Sequence, residues 1–440
     1  MSPRNTRQVA TPSATDLNPK PGVADSAKGT AGTVPPKGLI NVRPLTSQLT
    51  QQMQHQLMQV WPHVIRPATA SIAHPYFIPG STYHQLWDWD AMFMAVAAPD
   101  RYLEPARGSL LNLLAGVRPD GEPPKLMRST GHYHYNGNPL PIHGQFACLL
   151  ARRLGAVQWL AAAWPTLVAV RDWFETHGQD GEGYFVWSSF RGNGVDNNPA
   201  VYGRPPRSAA GVDLATWHYR ENVAMATLAR AFDHERAAHA YDVKAEQLRH
   251  VIQTQYWDPC DGFFYNIDRL TDRTHVSRQA VTWQTHLKFR SWTGFFPLWA
   301  GVATPQQAEA LRQKMLDPAE FLAPAGIRSH SARDPVYNNM PLADPSNWQG
   351  PVWVLNTCLC AYGLARYGFS CNAADVGRRL VETLTADLEA NGCVHEYYHG
   401  DSGQPLSKPG FLSWNLMAID LLDHLAANHD PTALGHPLER

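Results

Sequence analysis

The sequence has almost no net charge, with 37 Lys and Arg against 38 Asp and Glu. That balance gives no electrostatic footprint for nucleic acid and no polybasic patch for a membrane surface. Charged residues of both signs reach only 17%, beside 44% apolar residues, which excludes disorder as the general state. No apolar run approaches the ~18–20 residues of a membrane span. There is no CxxC pair. Cys148, Cys260, Cys358, Cys360, Cys371 and Cys393 are scattered, and are expected as reduced, mostly buried thiols with no metal or disulfide role. The opening stretch MSPRNTRQVATPSATDLNPKPG has no apolar core of the secretory kind, so a cytoplasmic location is the expectation. Strand signals are few, confined to YFVWSSF (184–190) and FFYNI (263–267).

Aromatic residues and histidine, by contrast, are plentiful: 15 Trp, 16 Tyr, 15 Phe and 20 His. Many lie in polar, Gly- and Pro-rich stretches, where a core role explains them poorly. Residues 1–44 carry Pro, Gly, Ala, Ser and Thr with almost no large apolar side chain, and are expected to be a disordered tail. From there to about residue 430 the chain alternates helical period with long loops and shows no composition break, so one domain is expected. Helices are predicted at 90–98, 104–116, 140–153, 156–177, 212–233, 234–255, 276–299, 304–316, 347–367, 371–390 and 410–426, with one more before Trp61. Twelve helices in six pairs predict an all-α (α/α)6 barrel, with the long loops at one mouth. Loops of that length in a domain usually carry function.

Three loop clusters hold the chemistry. In STYHQLWDWDAMF (81–93), Asp88 or Asp90 is either a helix N-cap or a sugar ligand. Tyr83, Trp87 and Trp89 around them favour the sugar, because aromatic faces stack on its C–H surfaces while carboxylates accept its hydroxyls. In FVWSSFRGNGVDNNPAVYG (185–203), Asp196 sits in an ordinary turn sequence but is flanked by Trp187, Arg191 and Tyr202. The third cluster pairs NWQGPVWVLN (347–356) with VHEYYHGDSGQPLSKPGFLSWN (394–415). There Trp348 and Trp353 bracket a Gly-Pro, and Glu396 lies in an aromatic, neutral setting that suits a carboxyl with a raised pKa. Two carboxylates on distant loops among aromatics fit glycoside hydrolysis.

Four motifs occur in one order: W-x-W-D-x-x-F (Trp87, Trp89, Asp90, Phe93), G-V-D-N-N-P (194–199), N-W-Q-G-P-V-W (347–353) and H-E-Y-Y (395–398). Together, over roughly residues 60–425, they resemble glycoside hydrolase family 63 and the related trehalase-like clan, in particular the bacterial and plant mannosylglycerate/glucosylglycerate hydrolase type. The resemblance implies an (α/α)6 barrel and an anomer-inverting α-glycosidase with no cofactor and a small carbohydrate substrate. It implies Asp196 as general acid and Glu396 as general base, ~6.5–9.5 Å apart. It places Tyr83, Trp87, Trp89 and Asp90 at the non-reducing sugar, Gln145 as a sugar-binding residue ahead of an inner helix, and Trp348 and Trp353 as aromatic walls.

The sequence departs from the pattern at Asn198, where a small residue is usual, and at Gln349, where Arg is common. Losing a guanidinium removes a partner for an anionic aglycone. A neutral disaccharide or a polyol glucoside then competes with glycerate. Arg204 and Arg207 in YGRPPR either replace that charge or lie on the surface. His132, His134 and His143 are expected as a hydrogen-bonding loop over the pocket rather than as a metal site. An epimerase, a phosphorylase or a non-catalytic sugar-binding protein on the same barrel are the other readings; the two carboxylates weigh against the first and the last, and the lack of a clear Lys/Arg or Gly-rich loop for an anion pocket against the phosphorylase.

Overall fold

A computed structural model describes residues 47–131, 133–135, 139–189, 192–270, 285–342 and 344–438. The expected tail at 1–44, His132, Arg191 and the 276–284 portion of an expected helix lie outside the described residues.

Among the described residues the chain forms α1 (Ser47–Gln59), α2 (Asp88–Ala97), α3 (Leu103–Ala115), α4 (His143–Leu154), α5 (Trp164–His177), α6 (Val212–Ala231), α7 (Glu235–Gln255), α8 (Phe296–Trp299), α9 (Pro305–Met315), α10 (Val354–Arg366), α11 (Ser370–Asn391) and α12 (Leu421–Ala426). Two classes of helix alternate. In α2, α6 and α10 almost every residue is buried: 9 of 10, 18 of 20 and 12 of 13. A helix without a polar face must be enclosed on all sides. In α7 only Ala238, Tyr241, Ala245 and Ile252 of 21 residues are buried, a single stripe at helical spacing. Such a helix has one face on the core and the rest in water.

The enclosed elements form a closed ring. α2 packs on α4, α4 on α6, α6 on α8, α8 on α10, and α10 on a 3₁₀ segment, Ser413–Ala418, which packs back on α2. Outside it, α3 packs on α2 and α4, α7 on α6, and α11 on α10, while α1 and α12 cover α11. Gln307 of α9 donates to the Gln253 carbonyl of α7 at 2.9 Å, tying the outer layer together. This is the (α/α)6 barrel expected from the sequence.

Four helix predictions need correction: the helix expected from 156 starts at Trp164, and the one expected at 410–426 is a 3₁₀ segment, Ser413–Ala418, followed by the short α12. Residues 347–353 are not helical; Val352 pairs with Tyr398 and Arg328, and the helix starts at Val354. Residues 285–291 are extended, with His286–Leu287 paired antiparallel to Asn266–Ile267. The strand signals are largely met: Phe263–Phe264 pair with Trp257–Asp258, and Phe185 and Val186 form single bridges. Cys148, Cys358 and Cys360 are buried, but Cys393 is half-buried and Cys260 and Cys371 are exposed. The thiols are therefore not mostly buried. No described helix is long and apolar enough to cross a membrane.

Candidate active site

The segments that lead into the ring elements converge on one mouth. A cavity of about 710 Å³ there is lined from five of the six long loops or the helix starts beside them. Its lining includes Tyr83, Trp87, Trp89, Asp90, Asp196, Trp348, Trp353 and Glu396, so both expected catalytic carboxyls and six expected sugar contacts share one space. The described part of the 256–275 loop, residues 256–270, is not in that lining and forms a short hairpin instead. Each lining segment ends at the N-terminus of a ring element. The unsatisfied N–H groups at such ends favour negative charge nearby, which suits a carboxylate-rich mouth.

Glu396 is 3% exposed. Its Oε1 accepts from the Tyr83 hydroxyl at 2.9 Å and its Oε2 from Ser407 Oγ at 2.9 Å. Burial raises its pKa; the Lys408 ammonium and these two hydrogen bonds oppose the rise, and Asp196 adds to it. Both carboxyls line the one cavity. Asp196 is only partly buried and opens into the cavity. The Ser346 N–H donates to its Oδ2 at 3.3 Å. Burial raises this pKa too, opposed by Lys125 and by the bonds from Ser346.

The loop of Asp196 is fixed by its neighbours in sequence. Asn197 Oδ1 accepts the Trp348 N–H at 2.7 Å, and Asn197 Nδ2 donates to Asn347 Oδ1 at 3.1 Å. The G-V-D-N and N-W-Q segments are therefore laced together behind the carboxylate. Asn198 stabilises its own turn, where its Oδ1 accepts the Ala200 N–H at 3.1 Å, an Asx turn that a small apolar residue would not make. Gly194 has φ +76°, and a Cβ there would lie 2.6 Å from the Trp89 ring. Glycine is required both for the backbone and for the approach.

The floor is aromatic. Trp348 and Trp353 stack at 3.8 Å with 4° between their planes, and both are 1% exposed. Trp89 meets Trp414 edge-on at 5.0 Å. The indole N–H groups of Trp87 and Trp414 find no acceptor among the described residues. Both line the cavity, and buried donors of that kind need a partner. Asp90 takes the Ser413 hydroxyl at 2.6 Å, and burial pushes its carboxyl up to about 7, with Asp88 and Glu396 adding to the rise. Asp88 is the structural member of the pair. It is fully buried and accepts the N–H groups of Trp89 (2.7 Å) and Leu140 (3.2 Å).

Three expected site residues do not line the cavity. Gln145 is fully buried in α4; its amide donates to the carbonyls of Pro141 and Trp217 and its Oε1 accepts from Arg220. Arg207 is exposed and holds the carbonyls of His177 and Gln179. Gln349 donates to the Asn197 carbonyl at 2.7 Å, a brace behind Asp196. Arg204 pairs with Asp268 at 2.6 Å, also away from the cavity. Of the histidines, His134 lines the cavity, while His143 is buried in α4 with its pKa lowered to about 4 by burial.

Sequence reasoning missed the cations. Lys125, Arg128 and Lys408 all line the cavity. Lys125 donates to the Gly192 carbonyl at 2.6 Å; burial lowers its pKa, and Asp88, Asp196 and Asp90 oppose that. Nothing in the local pattern around these residues marks them, because their partners come from distant segments.

Comparison with known proteins bears on the fold and the family. The solved structure of a glycoside hydrolase family 63 mannosylglycerate hydrolase from Thermus thermophilus, in complex with glucose, superposes with a TM-score of 0.65 at 19% identity, covering 84% of this chain and 99% of that one. The neutral trehalase Nth1 from Saccharomyces cerevisiae gives 0.61 at 18%, covering 81% and 76%. Both support the barrel. In sequence, mannosylglycerate hydrolase MGH1 of Selaginella moellendorffii is 34% identical over 108 residues, 24% of this chain and 19% of the relative. The cytosolic neutral trehalase of Saccharomyces cerevisiae is 22% identical over 405 residues, 74% of this chain and 51% of the relative. The chain thus spans between a fifth and a half of the curated relatives it matches. Residues 83–414 match the mannosylglycerate hydrolase MGH1-like glycoside hydrolase domain, and the chain belongs to that family.

Proposed function

We infer that the protein is an anomer-inverting α-glycosidase that hydrolyses a small α-glucoside or α-mannoside. The observation that carries the reading is the meeting of Asp196 and Glu396, from loops 200 residues apart (396 − 196), in one Trp-floored cavity. Asp196, its pKa raised by burial, gives its proton to the glycosidic oxygen as the bond to the anomeric carbon breaks. Glu396 takes a proton from a water that attacks the opposite face of the sugar. Solvent then returns a proton to Asp196 and removes one from Glu396, so the net change is addition of water. Asp90, Trp87, Trp89 and Tyr83 hold the non-reducing sugar, with Trp348 and Trp353 beneath it. The family relationship and the named cytosolic relatives support a hydrolase of the cytoplasm.

The aglycone is an organic acid on this reading. Lys125 and Arg128 line the cavity and supply the positive charge that Gln349 lacks. The mannosylglycerate hydrolase relatives favour the same class, with a glycerate leaving group. A second reading, an α-glucosyl disaccharide, is favoured by the trehalase relatives.

Proton NMR of the purified protein with glucosylglycerate, mannosylglycerate, glucosylglycerol, kojibiose, nigerose, isomaltose and trehalose tests both points. A β-anomer appearing first from a glycerate glycoside is the expected result. An α-anomer appearing first overturns inversion. Release only from trehalose or another disaccharide overturns the acidic aglycone, and release from none, with a phosphate-dependent or epimerised product, overturns hydrolysis.

A further inference from the structure

Glu396 is held in place by a residue that no motif marks. Residues 394–398 and 405–410 run antiparallel: the Glu396 N–H donates to the Lys408 carbonyl at 3.1 Å, and His395 bridges Pro409. Lys408 therefore sits directly across from Glu396 in register. Its side chain does not pair with that carboxylate. Lys408 Nζ donates to the Tyr83 hydroxyl oxygen at 2.5 Å and lies 4.1 Å from the centre of the Tyr83 ring. The Tyr83 hydroxyl donates in turn to Glu396 Oε1 at 2.9 Å. Among the described residues Lys408 forms no ion pair with a carboxylate.

We propose that Lys408 is a positioning residue for Glu396, acting through Tyr83. The proposal rests on the reading of Glu396 as the base. A phenol has one proton and accepts through its oxygen. With an ammonium donating to that oxygen, the phenolic proton is directed at Glu396 and its O–H is polarised, which strengthens the bond to a carboxylate. A direct Lys–Glu pair would occupy the oxygen that has to receive the proton of water. Interposing the phenol keeps the positive charge near while Tyr83 and Ser407 use only two of the carboxylate's roughly four acceptor sites. The charged and titratable groups that act on Glu396 are Lys408 and Tyr83, Asp196 from the 189–196 loop, Asp90 from α2, and the adjacent Tyr397. Lys408 is the one cation in that set.

The test is a carbon-13 NMR titration of protein labelled at the glutamate side-chain carboxyl carbon, with the Glu396 signal identified by its loss in Glu396→Gln. In Lys408→Met the midpoint of Glu396 should rise by about one unit, the effect of an opposite charge ~4–6 Å away. Lys408→Arg should restore it, and Tyr83→Phe should raise it as well. An unmoved midpoint in Lys408→Met overturns the proposal. The kinetic counterpart uses α-glucosyl and α-mannosyl fluoride, whose fluoride leaves without an acid. The acidic limb of kcat/KM should move with the titration while KM stays within about twofold; a raised KM with unchanged kcat would make Lys408 a substrate contact instead. Full turnover of either fluoride by Glu396→Gln would remove the base assignment itself, a failure distinct from a silent Lys408.

Discussion

The two carboxyls of the cavity are the same functional group in two settings. Glu396 has a donor on each oxygen and a cation two hydrogen bonds away through Tyr83. Asp196 takes backbone and side-chain bonds from Ser346, with Lys125 acting through space. Burial raises both; Lys408, Ser407 and Tyr83 oppose the rise at Glu396, and Lys125 with the bonds from Ser346 opposes it at Asp196. A water-activating base must be ionised and a leaving-group acid must be protonated. On the proposed reading Glu396, held at both oxygens, is the base, and Asp196, open to the cavity, is the acid.

The strongest way to break this comparison is to remove each carboxylate. Asp196→Asn and Glu396→Gln should each lose roughly 10²–10⁴-fold or more in kcat on a natural glycoside, with unchanged circular dichroism. They should then diverge on α-glucosyl fluoride. Asp196→Asn should recover most of its loss, because fluoride needs no proton, while Glu396→Gln should not. Equal behaviour of the two variants on the fluoride would erase the assignment.

Asp90 sharpens the contrast from the floor of the site. Its folded pKa of about 7 lies above the ordinary aspartate value of 3.8. Stability from the protonated, buried carboxyl is therefore fully present below about pH 4 and is lost as pH rises through about 7. Asp90→Asn has no such loss. Its unfolding free energy relative to the parent should be higher at pH 8 than at pH 5, by an amount on the order of 1–4 kcal/mol, read from denaturant melts at the two pH values. The same difference at both pH values would mean that Asp90 is not a strained carboxylate. The predicted gain comes with loss of sugar binding, as expected where a site is kept against stability.

The barrel was legible because its two helix classes leave different patterns. The stripe of α7 is periodic, and the enclosed α2 and α10 read as near-continuous apolar runs. The stretch 347–353 was misread because Trp348, Val352 and Trp353 look like the start of such a run. Their backbone is instead committed to Tyr398, Arg328 and Asn197. The carboxylates and tryptophans of the site stood out because loops rarely need them. Lys125 and Lys408 did not, since surface loops commonly carry lysine. Lys408 acquires its meaning from Tyr83, 325 positions away, a contact that only the closed ring creates.

The arginines give the smallest effect and the finest discrimination. Arg207 was expected near the aglycone, but its guanidinium is occupied by the carbonyls of His177 and Gln179. Arg128 was not singled out, yet it lines the cavity. Arg207→Ala should leave KM within about twofold and change stability by no more than about 1 kcal/mol, as for an exposed side chain making two carbonyl contacts. Arg128→Ala should raise KM for glucosylglycerate about tenfold, the equivalent of one charge-assisted hydrogen bond, with little change for trehalose. The ratio of the two KM changes reads the aglycone charge directly. Equal changes for the acidic and neutral glycosides would make Arg128 part of the wall, leave Lys125 alone to meet an acidic aglycone, and weigh for the disaccharide.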